Sequence, residues 1–240
     1  LHCKVNIDVV TSTLEKCVNL YRLDIEEIDL SFYCHINQCM YKTLLLKIVD
    51  CCGKLKELLL PQAAFWQHVV SEHILPCSLK LNKLSGSIIY YSPNRIYDEN
   101  AVLSIPTNKN VLNNLTHLET KTPNSYGYCI CKLKQNWLLS SITDKLVVFN
   151  CHWFFLLGEY IVKLSNSCPN LKVLGGSCHG YETQGYLLRY IRKYFPNLNK
   201  LYLIMNSENH YEDDRCTQDA KIYKNEDDLV DILRGFTELN

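Results

Sequence analysis

The chain has 240 residues, 47% of them hydrophobic and 21% charged, with 25 basic and 25 acidic side chains. This composition excludes a disordered chain, and the balanced charge excludes a general attraction to nucleic acid or to an anionic membrane. The balance is uneven along the chain: residues 200–240 hold ten acids and five bases, so the earlier residues carry the compensating positive excess.

The longest apolar run, Leu146–Gly158, is 13 residues and too short to span a bilayer. No basic start followed by an apolar run marks a signal peptide at the N-terminus. Thirteen cysteines, an odd number without C-x-x-C pairs or zinc-finger spacing, argue against a disulfide framework or a metal site. They read as reduced, mostly buried small hydrophobes, which implies the cytoplasm or the nucleus.

In chain order, a pattern of the form [C/F]-x-x-L-x-x-L-x-L recurs. Leu1–Val5 reads as the tail of an earlier strand. CVNLYRLDI supplies Cys17, Leu20, Leu23 and Ile25. Leu44, Leu45, Ile48 and Val49 then recur at helical spacing before CGKLKELLL, with Cys52, Leu55, Leu58 and Leu60. A helix is expected over Phe65–Ile74, followed by LNKLSG with Leu81, Leu84 and Gly86. Residues 88–110 contain Pro93, Pro106 and several Asn, and are expected to be the least regular stretch. LNNLTHLET supplies Leu112, Leu115 and Leu118.

TDKLVVFNC is a degenerate copy, with Thr143 in the first slot and Leu146, Val148 and Cys151 as anchors. Phe154, Leu157, Ile161 and Leu164 predict the next helix, and CPNLKVLGG follows with Cys168, Leu171 and Leu174 and with Gly176 in the third apolar slot. The segment Leu174–Gly180 lies just after a repeat strand and reads as a turn entering the next convex segment. Tyr186, Leu187, Tyr190, Ile191 and Tyr194 predict a further helix before FPNLNKLYLIMN, where Phe195, Leu198, Leu201, Leu203 and Asn206 fill every anchor. An acidic insertion at 207–225 precedes an N-capped helix over 225–236, and FTELN begins another copy. Counted from positions 20, 55, 81, 115, 143, 171, 198 and 239, the steps cluster near the 20–29 residues of leucine-rich repeats, with insertions in the longer ones.

Pro169 and Pro196 end the preceding helices, because proline cannot continue them. Each L-x-L then turns its leucines inward and its intervening residues outward. One such β-α unit cannot bury its own apolar face, but stacked units can. The expected fold is therefore α/β: a leucine-rich-repeat solenoid, or horseshoe, with a parallel concave sheet and convex helices. Residues 1–240 would form a single domain of about eight units, cut within the array at both ends.

The helix followed by C-P-N-L-K-x-L resembles the cysteine-containing repeats of F-box/leucine-rich-repeat proteins, through CPNLKVL, FPNLNKLYL, CGKLKEL and CVNLYRL. The resemblance implies a protein-protein interaction module, the substrate-recognition repeats of a ubiquitin-ligase adaptor. It would join a cullin-type ligase if an F-box lies upstream of Leu1. The alternative is a scaffold or receptor ectodomain unconnected with ubiquitin.

Catalytic motifs are weak. LGGSCHG brings Ser177, Cys178 and His179 together, but His179 occupies the second glycine slot of a nucleophile elbow. No catalytic, metal or cofactor site is expected, and neither a nucleic-acid nor a membrane partner. The expected partner is a protein held on the concave face, by Lys145, Val147, Phe149, Val173, Ser177, Lys200, Tyr202 and Ile204 in the later copies. Phe149 and Tyr202 would supply exposed aromatic anchors, and Lys145 and Lys200 would favour an acidic partner.

Overall fold

A computed structural model describes residues 7–26, 38–61, 74, 79–86, 112–120, 132–179 and 184–206. The expectations for Leu1–Val5, for most of the 65–74 helix, for 88–110 and for everything after Asn206 lie outside these residues.

The described chain is α/β, with one parallel sheet of seven strands: β1 (Arg22–Asp24), β2 (Glu57–Leu59), β3 (Lys83–Ser85), β4 (His117–Thr120), β5 (Val148–Phe155), β6 (Val173–His179) and β7 (Lys200–Asn206). Their order in the sheet is their order in the sequence, and every neighbouring pair is parallel. The described helices are α1 (Ile7–Leu14), α2 (Gln38–Cys51), α3 (Lys132–Leu139), α4 (Gly158–Ser167) and α5 (Gln184–Tyr194). Among the described residues no helix is long and apolar enough to cross a membrane.

Six of the seven strands are entered through the same turn. The N–H of the first anchor donates to the carbonyl three residues earlier: Leu20 to Cys17, Leu55 to Cys52, Leu115 to Leu112, Leu146 to Thr143, Leu171 to Cys168 and Leu198 to Phe195, at 2.9–3.4 Å. Pro169 and Pro196 occupy the second turn position, where a fixed φ is favourable, and Asn19, Asn114, Asn170 and Asn197 the third. One residue past the anchor, a single carbonyl accepts from two successive N–H groups of the next strand. Tyr21, Lys56, Asn82, Thr116, Val147 and Lys172 all do so, at 2.7–3.2 Å. These bonds lock each strand to its predecessor at one offset.

That offset aligns the side chains in rows. Leu58, Leu84, Leu118, Phe149 and Leu174 form the inward row and are buried with Leu44, Leu45, Ile48, Tyr160, Ile161, Leu164, Leu187 and Ile191 of the helices. Leu55, Leu81, Leu115, Leu146, Leu171 and Leu198, just before the strands, are buried as well. Leu201 and Leu203 of β7 are only partly buried, although full burial is expected from their perfect fit to the pattern. Among the described residues β7 has a strand on one side only.

The fifth copy corrects the sequence reading. Its anchors are Leu146, Phe149 and Cys151, not Leu146, Val148 and Cys151: Phe149 pairs with Leu118 and Leu174 in the inward row and is 0% exposed. Its ring meets Phe154 edge-on at 5.0 Å. The spacing from Leu115 to Leu146 is then 31 residues, and from Leu146 to Leu171 it is 25. Phe154 and Leu157 lie outside the following helix: Phe154 is in β5, and Leu157 is the exposed N-cap of α4. The apolar run Val147–Leu156 stays extended, and its register against β6 jumps between Asn150 and Phe155. Gly175 and Gly176 face this irregularity. A Cβ on Gly176 would lie 2.7 Å from the Phe154 carbonyl oxygen, and one on Gly175 would lie 2.0 Å from Asn150 Oδ1. The glycine pair is where β5 folds over β6. Gly86 is required for a different reason, since its φ of 147° belongs to the region that side chains disfavour.

Truncating the inward row should be costly. Leu118→Ala should lower the unfolding free energy in urea by about 2–5 kcal/mol, and Gly176→Ala by about 1–3 kcal/mol through overpacking. The same truncation at half-buried Leu201 should cost less than at Leu118.

Candidate functional site

The sheet face turned away from the helices carries two outward rows. Arg22, Glu57, Lys83, His117, Val148, Val173 and Lys200 form the first, and Asp24, Leu59, Ser85, Glu119, Asn150, Gly175 and Tyr202 the second. Strand alternation fixes this assignment, and the turn hydrogen bonds fix the register.

The early strands make a charged network. Arg22 donates to Asp24 Oδ2 at 2.9 Å and lies 3.6 Å from Glu57 Oε2. The Asp24 carboxyl is held below its ordinary range, first by the Arg22 hydrogen bond, then by the Glu26 N–H and by the charges of Arg22 and Lys83. The His117 imidazole is pushed down by burial and by Lys83, against the opposing pull of Glu119 and Glu57. Its Nδ1 lies 2.8 Å from the Thr116 hydroxyl, which also donates to the Asn82 carbonyl.

The late strands differ. Val148 and Val173 are half-buried, Tyr202 is 47% exposed and Lys200 is exposed. The Asn150 side chain lies over Gly175, in the space a Cβ would fill, and its buried Oδ1 has no hydrogen-bond partner among the described residues. The result is a smooth strip of valine and glycine, with one amide set into it and a tyrosine at its end.

Of the residues expected on this face, Val173, Lys200 and Tyr202 lie on it. The backbone of Ile204 lies on β7 opposite Ser177. Phe149 and Ser177 do not belong to the accessible surface. Phe149 points into the core, and Ser177 is 1% exposed, with its hydroxyl donating to the His152 carbonyl beneath the β5 irregularity. Lys145 and Val147 precede β5, and Lys145 sits in the entry turn, where its Nζ donates to Asn114 Oδ1 at 3.3 Å. Placing Val148 inward shifted this copy by one residue, and that shift hid the true outward pair, Val148 and Asn150. The signal was present in the sequence, because Leu146-x-x-Phe149-x-Cys151 matches the spacing of the other copies.

Val173–His179 is a continuous strand, so Ser177 and Cys178 sit inside the sheet and not in a turn. The described cysteines, Cys17, Cys51, Cys52, Cys151, Cys168 and Cys178, are all free thiols. Cys52, Cys151, Cys168 and Cys178 are buried, whereas Cys17, expected at a buried slot, is half-buried. Burial pushes all four buried thiols up, that of Cys168 to about 12, and the Cys168 Sγ donates to the Thr143 carbonyl at 3.2 Å. No group of three or more potential metal ligands occurs among the described residues.

Compared with known proteins, the chain matches no family model, no curated protein and no solved structure.

The Cys168 shift sets a pH dependence. Below pH 9 the thiol is protonated in both the folded and the unfolded chain. Between 9 and about 12 the unfolded chain releases this proton while the folded chain retains it, so stability falls as pH rises through that window. Denaturation midpoints measured from pH 8 to pH 10.5 should decline for the wild type and decline less steeply for Cys168→Ala.

Proposed function

We propose that the chain is a leucine-rich-repeat solenoid that holds a protein partner on the sheet face turned away from its helices. The supporting observation is the regularity of the stack. Seven parallel strands follow sequence order at one offset where they enter the sheet, and six of them are entered through the same turn. This architecture exposes one row of side chains per unit and makes a long recognition surface from a short repeated motif.

Partner recognition is assigned to the strip formed by β5, β6 and β7. Val148 and Val173 provide a half-buried apolar floor, and Tyr202 an exposed aromatic anchor. Tyrosine is favoured at interface hot spots because a rigid ring and a hydroxyl act together. The resemblance to F-box/leucine-rich-repeat proteins favours a substrate protein as the partner, delivered to a cullin-type ubiquitin ligase if an F-box lies upstream of Leu1. The free thiols fit a reducing compartment, the cytoplasm or the nucleus.

The test is quantitative capture from cell lysate with the wild type and with a Val173→Ser/Tyr202→Ala double variant whose fold is verified by circular dichroism. The variant should lose its partners by about 10-fold or more, consistent with a hot spot worth about 2 kcal/mol. Unchanged capture by the folded variant would exclude the β5–β7 strip as the binding face.

A further inference from the structure

The entry edge of the sheet, where the turns lead into the strands, carries an excess of positive charge among the described residues. Lys54, Lys80, Lys83, Lys145, Lys172 and Lys200 lie in the turns or in the first strand positions of five of the seven units. Only Glu57 and Asp144 share this band from units two to seven, and Glu57 is already paired with Arg22. Among the described residues none of the six lysines has a carboxylate partner. Two of them are held by neutral groups: Lys54 donates to Asn19 Oδ1 at 2.7 Å and Lys145 to Asn114 Oδ1 at 3.3 Å. These turn-to-turn bonds hold the Lys54 and Lys145 ammonium groups beside the preceding turn without neutralising them, and Asn170 Nδ2 makes a similar turn-to-turn bond to the Asp144 carbonyl at 3.1 Å.

We infer that this band is a binding surface for an acidic, extended segment of the partner protein, which runs across the strands along their entry edge. The inference rests on the protein-binding reading above and names the chemistry of the partner. Neighbouring strands lie about 4.8 Å apart, so seven strands present a line about 30 Å long, the reach of roughly nine extended residues. Charge complementarity favours polypeptide over nucleic acid. One row further along the strands, Asp24 and Glu119 place carboxylates on the same face, which oppose a broad polyanion but clear a single chain lying at the edge. Among the described residues of the two outward rows no Phe, Tyr or Trp lies between β1 and Tyr202, and the His117 imidazole is the one ring there, so a run of stacking platforms for successive bases is absent.

Fluorescence anisotropy tests the assignment, with a labelled twelve-residue peptide of alternating Glu and Ser and, in a second arm, an oligouridylate of equal length. The full chain should bind the peptide, and binding should weaken by about 10-fold or more between 20 and 200 mM salt, as the Debye length shrinks. Lys80→Glu/Lys172→Glu/Lys200→Glu should abolish it, and the milder Lys80→Gln/Lys172→Gln/Lys200→Gln should weaken it while keeping the fold. Peptide binding that survives both triple variants overturns the inference. So does tighter binding of the oligouridylate that is lost with the same substitutions, which would make the band a nucleic-acid surface. If the lysine variants have no effect while Val173→Ser/Tyr202→Ala still removes captured partners, the basic band fails and the β5–β7 reading stands. If neither set matters, both fail.

Discussion

Everything in this sheet depends on one carbonyl per unit. The residue after each first anchor points its oxygen at two successive N–H groups of the following strand, and the same bond pair recurs six times from Tyr21 to Lys172. A parallel sheet has no tight hairpin to set its register. Here the register is set at the strand entrance, by a turn closed from the first anchor to the residue three before it. A slip of one residue would move Leu118 or Leu174 to the outer face and bring Glu119 or Gly175 into the core. The hydrophobic rows and the turn bonds therefore enforce the same alignment.

The proposed binding surface follows from that alignment. With register fixed, the residues flanking each inward leucine must face outward, whatever their chemistry. Exposed outward positions such as Asp24 and Tyr202 can then change at little cost to the core, whereas Leu59 and Ser85 of the same row are buried. The two ends of the face differ accordingly: a charged network of Arg22, Asp24 and Glu57 at the early strands, and a smooth strip ending in Tyr202 at the late ones. Cysteine at the turn slot serves packing. Cys52 and Cys168 fill buried positions, and their thiols resist ionisation because a charge there would be stranded from water.

Much of this was legible in the sequence. Where the leucines were clear, as in CGKLKELLL and CPNLKVL, the anchors, the inward row and most of the outward residues could be assigned before the structure. Val173, Lys200 and Tyr202 were placed on the correct face for this reason. Legibility failed where several apolar residues stand side by side. In LVVFNCHWFF, Val147, Val148 and Phe149 are adjacent and apolar, so alternation alone did not choose between Val148 and Phe149, and only the Leu146-x-x-Phe149-x-Cys151 spacing distinguishes them. Volume decided: the larger ring fills the core against Phe154, and the smaller valine stays half-exposed. The same run read as helical at Phe154 and Leu157, and its extension into β5 also buried Ser177. The Gly175-Gly176 pair was the overlooked signal, since two glycines within a strand mark a close approach of neighbouring backbone.

The most direct measurement compares Val148→Lys with Phe149→Lys by urea denaturation. The register described here predicts that Val148→Lys keeps the fold within about 1 kcal/mol, as an outward substitution away from the core. It predicts that Phe149→Lys unfolds the protein, by placing an unpaired charge where the side chain is 0% exposed. The reverse result, a folded Phe149→Lys and an unfolded Val148→Lys, would contradict the register and with it the assignment of the binding face.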